Sequence, residues 1–67
     1  MKKQLEKRAN DYAAKTEYPY SIYFSTVIPD GRYKNYKYFF KYNSTNTVAA
    51  AFKTQKELEC YLDEKEN

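Results

Sequence analysis

The stretch GRYKNYKYFFKY, residues 31–42, decides how the rest of the chain is read. It sets Arg32, Lys34, Lys37 and Lys41 among the rings of Tyr33, Tyr36, Tyr38, Phe39, Phe40 and Tyr42. A wholly buried strand does not carry so many charges, and a solvated loop does not carry so many rings. Side chains alternate across a strand, so a strand over 33–42 separates the two sets. Tyr36, Tyr38, Phe40 and Tyr42 then fall on one face, suited to a core. Asn35, Lys37, Phe39 and Lys41 fall on the other, suited to solvent or a ligand. A slip of one residue would exchange the two faces.

Upstream, YSIYFSTVI at 20–28 is rich in β-branched and aromatic residues and reads as a strand. Alternation puts Ile22, Phe24 and Ile28 on one side and Tyr23, Ser25 and Val27 on the other. Between the two strands, PDG at 29–31 has the chemistry of a turn: proline fixes φ, aspartate bonds locally, and Gly31 allows a positive φ. The pair is therefore expected to form a hairpin. Downstream, NSTN at 43–46 makes a polar connection to a third strand, TVAAAF at 47–52, with Val48, Ala50 and Phe52 on one face.

Helices flank this block. Leu5, Ala9, Tyr12 and Ala13 fall at i, i+4, i+7 and i+8 and predict a helix over 3–16, ended before Pro19. TQKE at 54–57 fits a capping box, in which Thr54 accepts from the amide of Glu57 and Glu57 reaches back. Leu58, Tyr61 and Leu62 form the apolar stripe of the helix that follows. The expected fold is α+β, a three-stranded antiparallel sheet packed on the C-terminal helix, with an additional N-terminal helix. The whole chain, 1–67, reads as one small domain. The thin stripe of the first helix and the break at Pro19 suggest an accessory element, separable from a module over 20–66.

Composition narrows the function. With Cys60 alone and no histidine, an internal disulfide is impossible and a zinc site lacks ligands. No metal or cofactor is expected. Cys60 lies in a helical pattern and reads as a small packing residue in a reducing compartment. No apolar run is long enough for a membrane span or a signal peptide, which predicts a soluble, cytoplasmic protein without a membrane partner. The net charge of +3 is unevenly spread. Residues 21–53 carry Arg32, Lys34, Lys37, Lys41 and Lys53 against Asp30 alone, whereas residues 54–67 are net −3. The carboxylates of that last segment, among them Glu59, Asp63 and Glu66, follow the solvent side of the helix. There is no glycine-rich phosphate loop, and Ser21, Ser25 and Ser44 have no base to activate them. The chain is expected to bind rather than catalyse.

The order of strands and the segment AAFKTQKELECYLDEKE at 50–66 resemble the arm-site DNA-binding N-terminal domain of tyrosine recombinases, the integrases of phages and conjugative transposons. In that family a three-stranded sheet leads into a helix through a G-F-x-T-xx-E-A-xx-(aromatic)-L signature. Phe52, Thr54, Glu57, Tyr61 and Leu62 match it in order and spacing. Ala51 stands where the family usually has glycine, Leu58 replaces the usual alanine, and Tyr23 or Phe24 takes the place of a common tryptophan. The resemblance covers roughly residues 20–66 and implies an AP2-like fold that lays its sheet in the major groove of DNA. It implies a small DNA-binding protein of a phage or mobile element.

The residues themselves also suit nucleic acid. Lysine and arginine neutralise phosphates independently of sequence. The open sheet face would carry Tyr23, Ser25, Asn35, Lys37, Phe39 and Lys41, flanked by Arg32 and Lys53. Asn35 suits a bidentate contact to adenine in the major groove, and exposed rings suit unpaired bases or thymine methyls. Two other readings fit the same residues. Lys37 and Lys41 also serve to keep an open sheet from associating. A Tyr-rich face also suits a protein partner, as in a phage-type accessory or inhibitor protein acting on a nucleic-acid-processing protein.

Overall fold

A computed structural model describes residues 1–66 and gives the order α1 (Lys3–Ala14), β1 (Ile22–Ser25), β2 (Tyr38–Tyr42), β3 (Val48–Phe52) and α2 (Gln55–Glu66). The strands form one antiparallel sheet in the order β1-β2-β3. Both helices lie on the same face of it. Phe40 at the centre of β2 is fully buried, in one cluster with Ile22 and Phe52 of the outer strands and with Leu5, Ala9, Ala13, Leu58 and Leu62 of the helices. Aromatic edges knit this core: Tyr12 meets Phe40 at 5.6 Å and Tyr61 at 6.0 Å, and Tyr61 meets Phe52 at 5.0 Å between ring centroids.

The helix stripes are those the periodicity predicts. In α2, Leu58 and Leu62 are fully buried, with Tyr61 packed beside them. Its start is capped as expected, with one displacement. The Glu57 amide donates to Thr54 Oγ1 at 3.2 Å, but the returning Glu57 carboxylate accepts from the amide of Lys53 at 3.0 Å. The first helix is no appendage: Leu5, Ala9 and Ala13 supply core positions, and Arg8 bridges Asp63 and Glu66 of α2 at 2.9 and 3.0 Å. Small side chains at 9 and 13 let α1 come close enough to seal Phe40. The helix ends at Ala14, before the expected 16, and Thr16 ties it to the sheet. Thr16 Oγ1 donates to the Ala13 carbonyl at 2.6 Å and accepts from the Ile22 amide at 2.8 Å.

Two expectations of register change. The strands at 20–28 and 33–42 shrink to 22–25 and 38–42, so residues 26–37 form a long connection in place of a tight hairpin. Asp30 is the cause. Its Oδ1 accepts from the Arg32 amide at 2.8 Å and starts a 3₁₀ turn over Gly31–Tyr33, and a second turn follows with Tyr36 N–H donating to the Tyr33 carbonyl at 2.9 Å. These local bonds replace the ladder the pattern predicted. In β3 the register shifts opposite Phe40 and Lys41, so that Phe40 faces Ala50 but Lys41 faces Val48. This β-bulge puts Val48 on the face away from the helices, apart from Ala50 and Phe52. Cys60 is exposed on α2 rather than packed, because the buried stripe runs through 58 and 62. Among the described residues no helix is long and apolar enough to cross a membrane.

Candidate nucleic-acid interface

The face of the sheet away from the helices carries Tyr23, Ser25, Phe39, Lys41, Val48 and Ala51 by register. It is not open. Phe39 is fully buried and Lys41 is only 8% exposed. The 31–36 segment folds back over Phe39, and Tyr33 sets its ring against it at 5.8 Å between centroids. The expectation that Phe39 and Lys41 present themselves to a ligand is therefore corrected. Burying two more rings on the second face offsets the ladder bonds that 33–37 forgo. The stem of Lys41 is covered while its tip snorkels outward. Its Nζ makes no hydrogen bond, yet among the described residues no buried side-chain nitrogen or oxygen lacks a partner, so the ammonium reaches solvent.

Other expected site residues are diverted into the fold. The Tyr23 hydroxyl donates to Asn46 Oδ1 at 3.0 Å, pinning the β2–β3 connection, where Asn46 takes a positive φ of 58°. Ser25 Oγ accepts from the Val27 amide at 3.1 Å and bends the chain out of β1. Each hydroxyl thus already serves a bond within the fold.

The cap itself carries the basic groups. Arg32, Lys34, Asn35 and Lys37 are all exposed on it, and Lys53 is exposed at the joint between β3 and α2. Lys37 lies just before β2 and donates its amide to the Phe52 carbonyl at 2.9 Å, so its backbone is fixed while its side chain is free. Two cations sit over rings: Lys53 Nζ lies 5.2 Å from the Tyr36 centroid and the Arg32 guanidinium 5.9 Å from that of Tyr33. Tyr33 and Tyr36 meet edge to face at 5.6 Å. The result is a row of cation, ring, ring, cation across the cap, with Lys34 and Lys37 beside it. Sequence reasoning left Lys34 and Tyr33 out of the site and assigned Tyr36 to the core face, whereas its ring lies outside β2 on the cap, against Tyr33 and Lys53. The aspartate two residues before Arg32, a local capping residue, is the signal that would have found them.

Electrostatically the cap is one-sided. Its carboxylate, Asp30, is bound by Arg32 at 3.1 Å, and that hydrogen bond holds Asp30 below the usual carboxylate range. Lys34, Lys37 and Lys53 have no ion-pair partner among the described residues, where the bridges are those of Lys7, Arg8 and Arg32. The acidic helix α2 is on the other face of the sheet, with Asp63 and Glu66 held by Arg8. The exposed cations of the basic block thus gather on the cap side, while on the helix side the net −3 of residues 54–67 is largely offset by the net +2 of residues 1–20. Compared with protein-family models, curated proteins and solved structures, the chain matches none.

Proposed function

We propose that the protein is a small, non-enzymatic DNA-binding protein that meets duplex DNA through the cap over its sheet. The observation that carries this reading is the group of exposed, unpaired Lys34, Lys37 and Lys53 around the half-buried rings of Tyr33 and Tyr36. Unpaired ammonium groups neutralise phosphates without first giving up an ion pair. The concentration of positive charge on the cap would draw that side toward a polyanion before contact. In this reading the lysines take backbone phosphates and Asn35, on the turn between them, takes a base edge. Arg32 changes partner from Asp30 to a phosphate. The likeness of the joint at 52–62 to that of recombinase arm-site domains supports the same ligand class. The contact surface differs from the one that likeness implies: a cap stands where the bare sheet was expected.

Binding of a random duplex at two or more salt concentrations tests it. Each phosphate contact contributes about 0.9 to the slope of log K against log salt. The variant Lys34→Ala/Lys37→Ala/Lys53→Ala is expected to stay folded, bind more weakly and lose about 2–3 from that slope. Unchanged affinity and slope in a folded variant overturn the reading. A protein partner is the second reading, favoured by the exposure of Tyr18 (84%), Tyr20 (75%) and Val27 (68%) at either end of β1. Absence of any DNA binding at low salt, with a nuclease-resistant partner recovered on the intact chain, would establish it instead.

A further inference from the structure

Where α1 stops and β1 begins, the molecule has a hollow of about 450 Å³ that the DNA reading does not use. Four separate segments each send a tyrosine to its wall: Tyr12 from α1, Tyr20 from the connection to β1, Tyr42 from the end of β2 and Tyr61 from α2. Glu17 is the charged residue of the lining among the described residues. Tyr42 lies on the helix side of the sheet, so the hollow and the basic cap are on opposite faces.

The chemistry of that lining is specific. The face of an aromatic ring is electron-rich and attracts cations, and several rings around one space reinforce each other. A carboxylate at the rim adds to the attraction and repels anions. Tyr61 already meets a cation outside the hollow, since Lys65 Nζ, which is not part of the lining, stands 5.4 Å from its centroid. The phenol of Tyr61 also stays neutral, because burial, and then the neighbouring Tyr12, push it up to about 12. A bare ammonium ion is strongly hydrated and gains little by leaving water. An alkylated ammonium has the same charge under an apolar skin, and it suits a space walled by rings with Ile22 and Ala49 beside them.

We propose that the tyrosine-walled hollow between α1, α2 and the end of the sheet binds an alkylated ammonium group, with Tyr12, Tyr20, Tyr42 and Tyr61 facing the cation and Glu17 balancing its charge. The hollow is a site of its own and stands or falls independently of DNA binding.

The test uses the intact ¹⁵N-labelled chain, titrated with choline and separately with 3,3-dimethyl-1-butanol, which has the same shape without the charge. Sodium chloride at matched ionic strength is the control. The amides of Ile22 and Ala49 should shift saturably with choline, and choline should bind about tenfold or more tightly than the neutral alcohol, on the scale of a cation–π attraction partly shielded from water. Tyr20→Ala, at a ring 75% exposed and outside the core, and Glu17→Gln should each weaken choline several-fold without lowering the thermal midpoint. Equal binding of the alcohol, a choline response no larger than that of sodium chloride, or full choline affinity in both variants overturns the proposal.

Discussion

Gly31 shows how a residue's chemistry misleads when its neighbours decide the backbone. Beside Pro29 and Asp30 it suggests a turn needing positive φ, but no glycine here has one; Asn46 does, at 58°. Gly31 opens a 3₁₀ turn, and a Cβ placed on it would meet nothing within 4 Å. Gly31→Ala should therefore hold or raise stability, by about 0.4–1 kcal/mol, through a less disordered unfolded chain. A urea melt reads this directly, and a lower midpoint would mean the turn is not as described. Tyr61 gives a second residue-scale prediction. Its folded pKa is raised from 10.0 to about 12, so its contribution is intact below pH 10 and is lost as pH rises toward 12. The thermal midpoint should fall across that window, and Tyr61→Phe, which keeps the ring, should flatten the fall. Faces were legible at this scale. Alternation assigned Phe40 to the helices and Phe39 to the far side, and both assignments stand. It was silent on what covers Phe39, because that ring's cover comes from a segment whose own tyrosines read as strand.

Among elements, the helices were the legible ones. Their stripes at 5, 9, 13 and 58, 61, 62 are set by a period of 3.6, and a capping box names its own start. Thr54→Ala should cost about 1 kcal/mol in a denaturant melt, because one amide of the first turn of α2 loses its acceptor. An unchanged midpoint would mean the cap is not formed. The strands were legible in number, pairing and direction, but not in length. At 33–37 the β propensity of alternating tyrosines competes with turns begun by Asp30, and the turns win because Tyr33 can still bury its ring on Phe39. The bulge opposite Phe40 and Lys41 was hidden for another reason. A run of three alanines, 49–51, carries no size contrast to mark where the alternation slips.

At the scale of the whole molecule, one core joins both helices to one face of the sheet, and a basic cap closes the other. The thin stripe of α1 made it look removable. In a chain of 67 residues, a helix that places three residues in the core is expected to be needed for folding. Deleting residues 1–14 should strip the cover from Phe40, Leu58 and Leu62 and abolish cooperative thermal unfolding; a sharp transition in the remnant would show the sheet and α2 to be self-sufficient. The same division of faces underlies the proposed function. The resemblance to recombinase arm-site domains directs attention to the sheet, whereas the contact proposed here is the cap that hides it. The most direct measurement is amide chemical-shift mapping of the intact chain titrated with a short duplex at low salt. The account predicts shifts gathered at residues 32–37 and at Lys53, with Phe39, the strand partners of β1 and the whole of α2 unmoved. Shifts centred on β1 and β2, or no shifts at any position, would contradict it.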